Sequence, residues 1–490
     1  MAKKTKDDAF MTVARETSHA APVPERLKHF NEMYPLLPAE KIAEQATRCM
    51  QCGTPFCHNY GCPLGNIVPE WNQLVARGRW KEAVDLLHVT NNFPEITGRI
   101  CPALCEAACT LSGSGAEAVT IRQMELHIVE RGWKEGWVRP MPPRQETGKT
   151  VAVVGAGPSG LAAAQQLRRA GHKVTVFERE KKAGGLLRYG IPNFKLEKWI
   201  LDRRIEQMQA EGVVFECGVE VGRDFSAAYL KRSFDAIVLT IGAWEPRDLP
   251  VPGRDLKGIH MAMDFLSQQI KKMDGETFPP ETNIDAKGKT VVIIGGGDTG
   301  SDCLGTSLRQ GAKAVYQFEL LPKPPSGTDP ENPWPQYPRI LRTSSSHEEG
   351  GIRRWCISTS EFLGKNGVLT GLKGCEVTWK TPEGGGRPAM VPVPGSEFQM
   401  DCELVLLAMG FVHCQHPGLV KDFGFALDPR GNIQCGKDMM TSVPGVFVAG
   451  DATSGASLVV RGIAAGRRAA HYADAYLMGE SVLPNVPEIA

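Results

Sequence analysis

One pattern limits the fold more than any other: a strand, a glycine turn, a helix and a second strand, written twice. KTVAVVGAGPSGLAAAQQLRRAGHKVTVFE fills 149–178, and KTVVIIGGGDTGSDCLGTSLRQGAKAVYQFE at 289–319 repeats its layout, with first glycines Gly155 and Gly295 140 positions apart. Apolar runs such as Val151–Val154 suit strands covered on both faces of a parallel sheet. A copy at that separation is a duplicated βαβ unit, not a short-period solenoid. Further buried strands are expected at 236–242 (AIVLTIG), at 403–410 (ELVLLAMG) and in GVFVAGDATSG at 445–455, before a terminal helix in ASLVVRGIAAGRRAAHYADAYL. The fold class is therefore α/β, with two Rossmann-like dinucleotide-binding units.

Each unit carries the residues that such a site needs. In Gly155-Ala156-Gly157-Pro158-Ser159-Gly160 the first glycine makes the turn, the second admits a pyrophosphate and the third lets helix and strand pack closely. The helix start then offers free N–H groups to phosphate. Glu178, 21 residues after Gly157, stands where a ribose-binding carboxylate belongs. The second fingerprint is Gly295-Gly296-Gly297-Asp298-Thr299-Gly300, and its strand ends at Glu319, 22 residues after Gly297. A carboxylate there favours a free 2′-hydroxyl, hence NADH; Leu320, Leu321 and Pro322 follow in place of the arginines that would favour a 2′-phosphate. The alternative for Glu319 is a solvated strand-end charge. Two other segments point to the first ligand. Gly184–Pro192, containing Gly185, Leu186 and Arg188, is a small-residue loop able to lie against a ring system. Asp451 after Gly450 can accept from a ribityl or ribose hydroxyl, or can simply be a turn or cap residue. In this layout the first site resembles the FAD site of two-dinucleotide-domain flavoprotein reductases.

Ahead of these units lies a different chemistry. Seven of the fourteen cysteines fall between Cys49 and Cys109: Cys49, Cys52, Cys57, Cys62, Cys101, Cys105 and Cys109. Disulfides, zinc or iron–sulfur clusters are the usual uses. MAKKTKDDAF has no apolar run behind its lysines, so the expectation is a cytoplasmic chain, a reducing setting that disfavours disulfides. Zinc favours paired C-x2-C knuckles, and only Cys49–Cys52 makes one. C-x2-C-x4-C-x4-C followed by proline, with a later C-x3-C-x3-C, fits iron–sulfur ligation better. Plain buried thiols remain the third option. The formal charge of +1 gives no reason to expect nucleic acid, and no uncharged apolar run reaches membrane-spanning length. Cysteines outside the cluster form no C-x-x-C, which argues against a dithiol reductase.

The first 140 residues read as mainly helical: a polar, flexible start to residue 24, helical character over 25–48 and 66–90, and a helix over 116–136. A proline-rich linker follows at Arg139–Thr147, and Leu321–Pro338 is expected as an extended surface loop. The domain reading is 1–147 for the cysteine-rich part, 148–250 with 411–490 for the flavin unit, and 251–410 inserted as the nicotinamide unit.

RCMQCGTPFC, GCPLGNIVPEW, TGRICPALCEAAC, VAVVGAGPSGLAAA, GGLLRYGIPNFKL, VVIIGGGDTGSDC and GVFVAGDA together resemble the small (beta) subunits of glutamate synthase, over nearly the whole chain. Similar modules occur in dihydropyrimidine dehydrogenase and in NADH-dependent ferredoxin:NADP oxidoreductases. The resemblance implies an FAD domain interrupted by an NAD(P)H domain and preceded by a helical domain with two [4Fe–4S] clusters. Cys49, Cys52, Cys57 and Cys109 would hold one cluster. Cys62, Cys101 and Cys105 would hold the other, completed by Glu125, whose alternative is an exposed helical glutamate. Four residues separate Cys57 from Cys62 where the family often has three, an extra residue assigned to the loop HNYG. The resemblance further implies electron input from NAD(P)H through FAD and the clusters to an FMN-carrying large (alpha) subunit, in a hetero-oligomer that makes glutamate from 2-oxoglutarate and glutamine. No general acid or base is needed for hydride delivery, so none is named. The alternative is a stand-alone or differently partnered flavin/iron–sulfur oxidoreductase that serves ferredoxin or sulfur compounds.

Overall fold

Helices come first, as the periodicity requires. The computed structural model describes residues 8–327 and 329–487. Among the described residues, the helices of seven or more residues in the cysteine-bearing part are α1 (Ala39–Ala46), α2 (Val68–Ala76), α3 (Trp80–Thr90), α4 (Pro94–Ile100) and α5 (Ile121–Lys134). Pro69 and Pro94 sit in the first turn of α2 and α4, where the missing N–H costs nothing. Ile42, Trp71, Val75, Leu87, Met124 and Ile128 interlock as one core. Helical character over 25–48 is only partly realised. Helix occupies Val23–Arg26 and α1, and the stretch between is irregular. Pro35 and Pro38 bias the residues before them to extended backbone and stop any longer helix. Likewise α5 begins at Ile121, not 116, after a buried lead-in through Val119 and Thr120. Residues 1–7 of the expected flexible start lie outside the described residues. From Asp8 onward the chain is packed: Ala9 and Ser18 are buried, and Arg15 pairs with Glu106 at 2.7 Å.

The first βαβ unit is β1 (Thr150–Val154), α6 (Pro158–Arg169) and β2 (Lys173–Glu178). After it come α7 (Lys198–Ala210), β3 (Val214–Cys217) and β4 (Ala236–Leu239). The second half opens with β5 (Ile259–Met261), α8 (Ala262–Met273), β6 (Thr290–Ile294), α9 (Asp298–Arg309), β7 (Ala314–Phe318) and β8 (Ile352–Arg354). Four antiparallel strands follow: β9 (Ile357–Lys365), β10 (Val368–Lys380), β11 (Ala389–Pro392) and β12 (Phe398–Asp401). The chain closes with β13 (Leu404–Leu407), β14 (Val446–Val448) and α10 (Val459–Met478).

Two five-stranded parallel sheets result, ordered β14-β4-β1-β2-β3 and β5-β13-β6-β7-β8. In both, the fingerprint strand is central: β1 sits between β4 and β2, and β6 between β13 and β7. The first sheet recruits β14 from the end of the chain, so the second is an insertion in it. The two connectors run side by side, with Val412 N–H donating to Glu245 O at 2.8 Å and Arg247 N–H to Gly410 O at 2.9 Å. The antiparallel strands were not foreseen. β9 and β10 are joined by Asn366 and Gly367, both at positive φ (55° and 76°), as a tight two-residue hairpin demands.

Buried polar contacts tie the parts together. Arg204 on α7 holds Glu95 on α4 through Nε–Oε1 at 2.6 Å and Nη2–Oε2 at 2.8 Å, with both side chains fully buried. Arg467 on α10 donates to Asn92 Oδ1 at 2.6 Å. The proline-rich stretch 321–338, largely exposed, also reaches the cysteine-bearing part. Trp334 lies 4.7 Å from the Phe56 ring, and Tyr337 donates to Pro102 O at 3.3 Å.

Candidate active site and cluster ligands

Both glycine turns form as their spacing requires. Gly155 N–H continues the sheet by donating to Phe177 O at 2.8 Å, and Gly295 N–H does the same to Phe318 O at 2.8 Å. Gly155 has φ of +102°, and a Cβ on Gly160 would lie 1.9 Å from Gly155 O, so side chains are excluded at both. At Gly157 and Gly297 an added Cβ would meet nothing within 4 Å. Those two helix starts therefore face open space of the kind a pyrophosphate occupies.

The space at Gly157 belongs to a cavity of about 950 Å³. Of the expected residues, Gly155, Gly157, Pro158, Ser159, Glu178, Gly185, Leu186, Gly450 and Asp451 line it, and Asp298 and Thr299 of the second fingerprint join them at one end. Gly160, Gly295, Gly297, Gly300 and Glu319 do not. Arg188 is also absent from the wall: its guanidinium is turned into the core, where Nε donates to Ala183 O at 2.6 Å and the far end pairs with Asp202. It supports the Gly184–Pro192 loop from behind. Residues that local spacing did not reveal complete the cavity: Thr240, whose hydroxyl donates to Gly155 O at 2.9 Å, Lys195, Asp302, and the start of α10. Only the apolar strand ending at Thr240 gave a signal for any of these; the others come from distant segments.

The donor set fits a flavin dinucleotide. Ser159 Oγ is buried at the start of α6 with no hydrogen-bond partner, as a phosphate-facing hydroxyl would be. Glu178 accepts from the N–H groups of Ala156 and Glu180, each at 2.9 Å, and burial raises its pKa. Burial pushes Asp451 up to about 6 although Ser457 donates to it through both N–H and hydroxyl. A carboxylate held up in this way gains from further hydroxyl donors.

The cysteines separate into two groups. Cys49 and Cys57 each sense the charges of Cys52 and Cys109. Cys62 and Cys105 sense Cys101, and all three sense Glu125. Burial pushes Cys49 and Cys101 to about 11 and Cys62 to about 12, and drives Cys57 and Cys105 well up. Backbone amides are nonetheless aimed at the sulfurs: Gln51 at Cys49, His58 at Cys57, Leu64 and Asn66 at Cys62, Ala103 and Leu104 at Cys101. Gln51 and Ala103 reach this by adopting left-handed φ of 54° and 62°, a cost for non-glycine residues. Such nests favour thiolate, and iron held there would supply the charge that completes the change from thiol.

Among the described residues no three His, Cys, Asp or Glu side chains converge to share one metal ion. Zinc sits about 2.3 Å from every thiolate it binds. A four-iron cluster gives each thiolate its own iron, so it takes sulfurs set wider apart. Glu125 is buried, not exposed, and burial pushes it up to about 7. Asn91 Nδ2 donates to its Oε1 at 2.7 Å and Thr97 Oγ1 at 2.8 Å, so its orientation is fixed. The extra residue before Cys62 is not in an open loop: Cys57–Gly61 forms a single π-helical turn, which absorbs one residue.

Two family models match the chain in succession. Residues 26–137 match the family described as dihydropyrimidine dehydrogenase domain II, 4Fe-4S cluster, and 149–469 match pyridine nucleotide-disulphide oxidoreductase. The glutamate synthase [NADPH] small chain of Mycobacterium tuberculosis is 55% identical, over 96% of this chain and 95% of that one. That of Bacillus subtilis is 45% identical over 98% and 100%. The glutamate synthase [NADH] of Schizosaccharomyces pombe is 44% identical, over 97% of this chain and 23% of that protein. Among solved structures, Mycobacterium tuberculosis FprA in complex with NADPH superposes with a TM-score of 0.53 at 19% identity, over 68% of this chain and 85% of that one, a likeness of fold. With its 4Fe–4S domain ahead of a pyridine nucleotide oxidoreductase, the chain belongs to the glutamate synthase small-chain family.

Proposed function

We propose that this chain is the electron-input subunit of a glutamate synthase. It oxidises NAD(P)H at FAD and passes electrons to an FMN-carrying large subunit, which makes glutamate from 2-oxoglutarate and glutamine in a cytoplasmic hetero-oligomer. Bound flavin accepts a hydride and can release its two electrons singly, as iron–sulfur clusters require. The chain's own part is placement. Gly157, Ser159 and the start of α6 would hold the pyrophosphate, with Glu178 and Asp451 on the hydroxyls. Two clusters are proposed, one on Cys49, Cys52, Cys57 and Cys109, the other on Cys62, Cys101, Cys105 and Glu125. The domain limits given from the sequence are kept as part of this proposal.

The observation that carries the reading is that Cys101 and Pro102 line the same cavity as the first fingerprint. A ligand segment of the second cysteine group thus forms a wall of the flavin space. Electrons would pass from that cavity to the group containing Cys101, then to the group containing the half-buried Cys49 and Cys52, and outward. Glu319 supports NADH as donor. A second reading, NADPH, is favoured by the names of the bacterial relatives and by Arg353 and Arg354, which β8 sets beside the end of β7.

Anaerobic purification followed by iron, sulfide and flavin analysis tests the proposal. Cys105→Ser should remove about half of the iron and sulfide while flavin stays. Cys217→Ser, outside both groups, should remove none. Full iron in the Cys105 variant would end the ligand assignment. Failure of the wild-type chain to associate with a large subunit would favour the differently partnered oxidoreductase.

A further inference from the structure

We propose that the ion pair between Lys195 and Asp302 sets the second nucleotide unit over the flavin cavity, making both of them positioning residues for hydride transfer. The inference rests on the hydride-transfer reading above and assigns two residues to it. Lys195 Nζ lies 2.5 Å from Asp302 Oδ1. Both residues line the cavity. Lys195 ends the loop that begins with Gly184–Pro192, on the flavin side. Asp302 is on α9, the helix whose start would receive the nicotinamide dinucleotide. It follows Asp298 by four residues, so the two share a face of α9, and Asp298 lines the cavity as well.

Other charge pairs also join the two units, but in a different setting. Lys181–Glu276, Lys182–Asp274 and Lys271–Glu180 lie on the surface, where solvent and salt weaken them. The Lys195 and Asp302 side chains are only 23% and 10% exposed. The neighbouring Lys198 is spent on the loop itself, donating to Ile191 O at 2.6 Å and Leu196 O at 2.9 Å. Lys195 is the loop cation that forms the ion pair with α9. A pair so placed is costly to bury and rigid once made. Rigidity is what hydride transfer needs, because the reacting atoms must be held about 3–3.5 Å apart. Lys195 and Asp302 act here through the spacing of the two units.

Rapid mixing of anaerobic holoprotein with NADH or NADPH tests this, with flavin bleaching as the signal. Lys195→Met and Asp302→Asn should lower the limiting bleaching rate by about ten- to a hundredfold. The donor concentration giving half that rate should move less than about threefold. Lys195→Arg should recover part of the rate, and Lys181→Met should leave it unchanged. Two readouts separate placement from damage: flavin content should stay at the wild-type value, and the melting temperature, lowered by the unpaired partner, should stay above the assay temperature. The long-wavelength charge-transfer absorbance of reduced flavin with NAD+ should weaken. Wild-type bleaching by Lys195→Met, or a loss entirely in donor affinity, overturns the inference. If Asp302→Asn cannot retain flavin, the two Lys195 variants decide. A wild-type protein that neither donor bleaches overturns the function reading instead.

Discussion

The two nucleotide units are built from the same hydrogen bonds and differ in what covers them. Ala156 N–H donates to Glu178 Oε2 at 2.9 Å, and Gly296 N–H donates to Glu319 Oε2 at 2.8 Å. The second carboxylate oxygen accepts in both from the residue two further on, at 2.9 Å. Yet Ser159 and Glu178 are buried, while Gly297 and Asp298 are exposed. The loop at Gly185, the turn at Gly450 and the start of α10 close over the first unit. Enclosure suits a group that stays, and openness suits one that must enter and leave each cycle. Under the proposed function one backbone device would serve a resident and a visitor, with the surrounding segments deciding which.

The largest effect should come from filling the two phosphate spaces in turn. Gly157→Val has room for its side chain, so it should fold but lose about a hundredfold in flavin affinity, ~2.8 kcal/mol. Gly297→Val should keep its flavin and raise the NADH concentration needed for bleaching by a similar factor. Equal flavin loss in both variants, measured by absorbance after gel filtration, would break the comparison. A smaller effect is expected at the carboxylates. Glu319→Gln should narrow any preference for NADH over NADPH by about tenfold, ~1.4 kcal/mol. Glu178→Gln should leave donor preference alone and loosen flavin. An unchanged donor ratio in Glu319→Gln would remove that residue from donor choice.

The smallest effect is a pH dependence confined to the enclosed unit. Burial raises Asp451 to about 6, so its contribution to apoprotein stability is complete below the ordinary aspartate value of 3.8 and is lost as pH rises through about 6. Hydroxyl donors from a bound flavin oppose that loss. The thermal shift produced by flavin should therefore grow between about pH 5 and pH 7, by roughly threefold in apparent affinity. Asp451→Asn should flatten it. A wild-type shift independent of pH would show that Asp451 does not meet the ligand.

What could be read from the sequence was what short spacing controls. The glycine turns, the carboxylates at Glu178 and Glu319, the apolar strands and the cysteine run each depend on residues a few positions apart. Residues 25–48 misled because their apolar pattern outweighed Pro35 and Pro38. The β9–β10 hairpin is legible at Asn366-Gly367, a pair whose positive φ suits a tight two-residue turn. The inward turn of Arg188 was not legible, since Asp202 lies beyond the loop. Nor was the cavity, whose walls at Thr240, Lys195, Asp302 and Cys101 come from four separate stretches. Glu125 had no local signal at all: its hydrogen bonds come from Asn91 and Thr97, and only the likeness to a family singled it out.

The seven-residue helix α4 has contacts on every side. Thr97 grips Glu125, Glu95 is clasped by Arg204, Gly98 and Ile100 face the cavity, and Cys101 follows at its end. As a gauge block it would make the floor of the proposed flavin chamber and the first sulfur of the proposed second cluster group move together when the protein breathes. Tunnelling falls steeply with the width of the gap, and on the proposed electron path that width would be set by this helix. Passage across it should be nearly indifferent to solvent viscosity, and any slow step should arise at the open, exchanging end of the molecule.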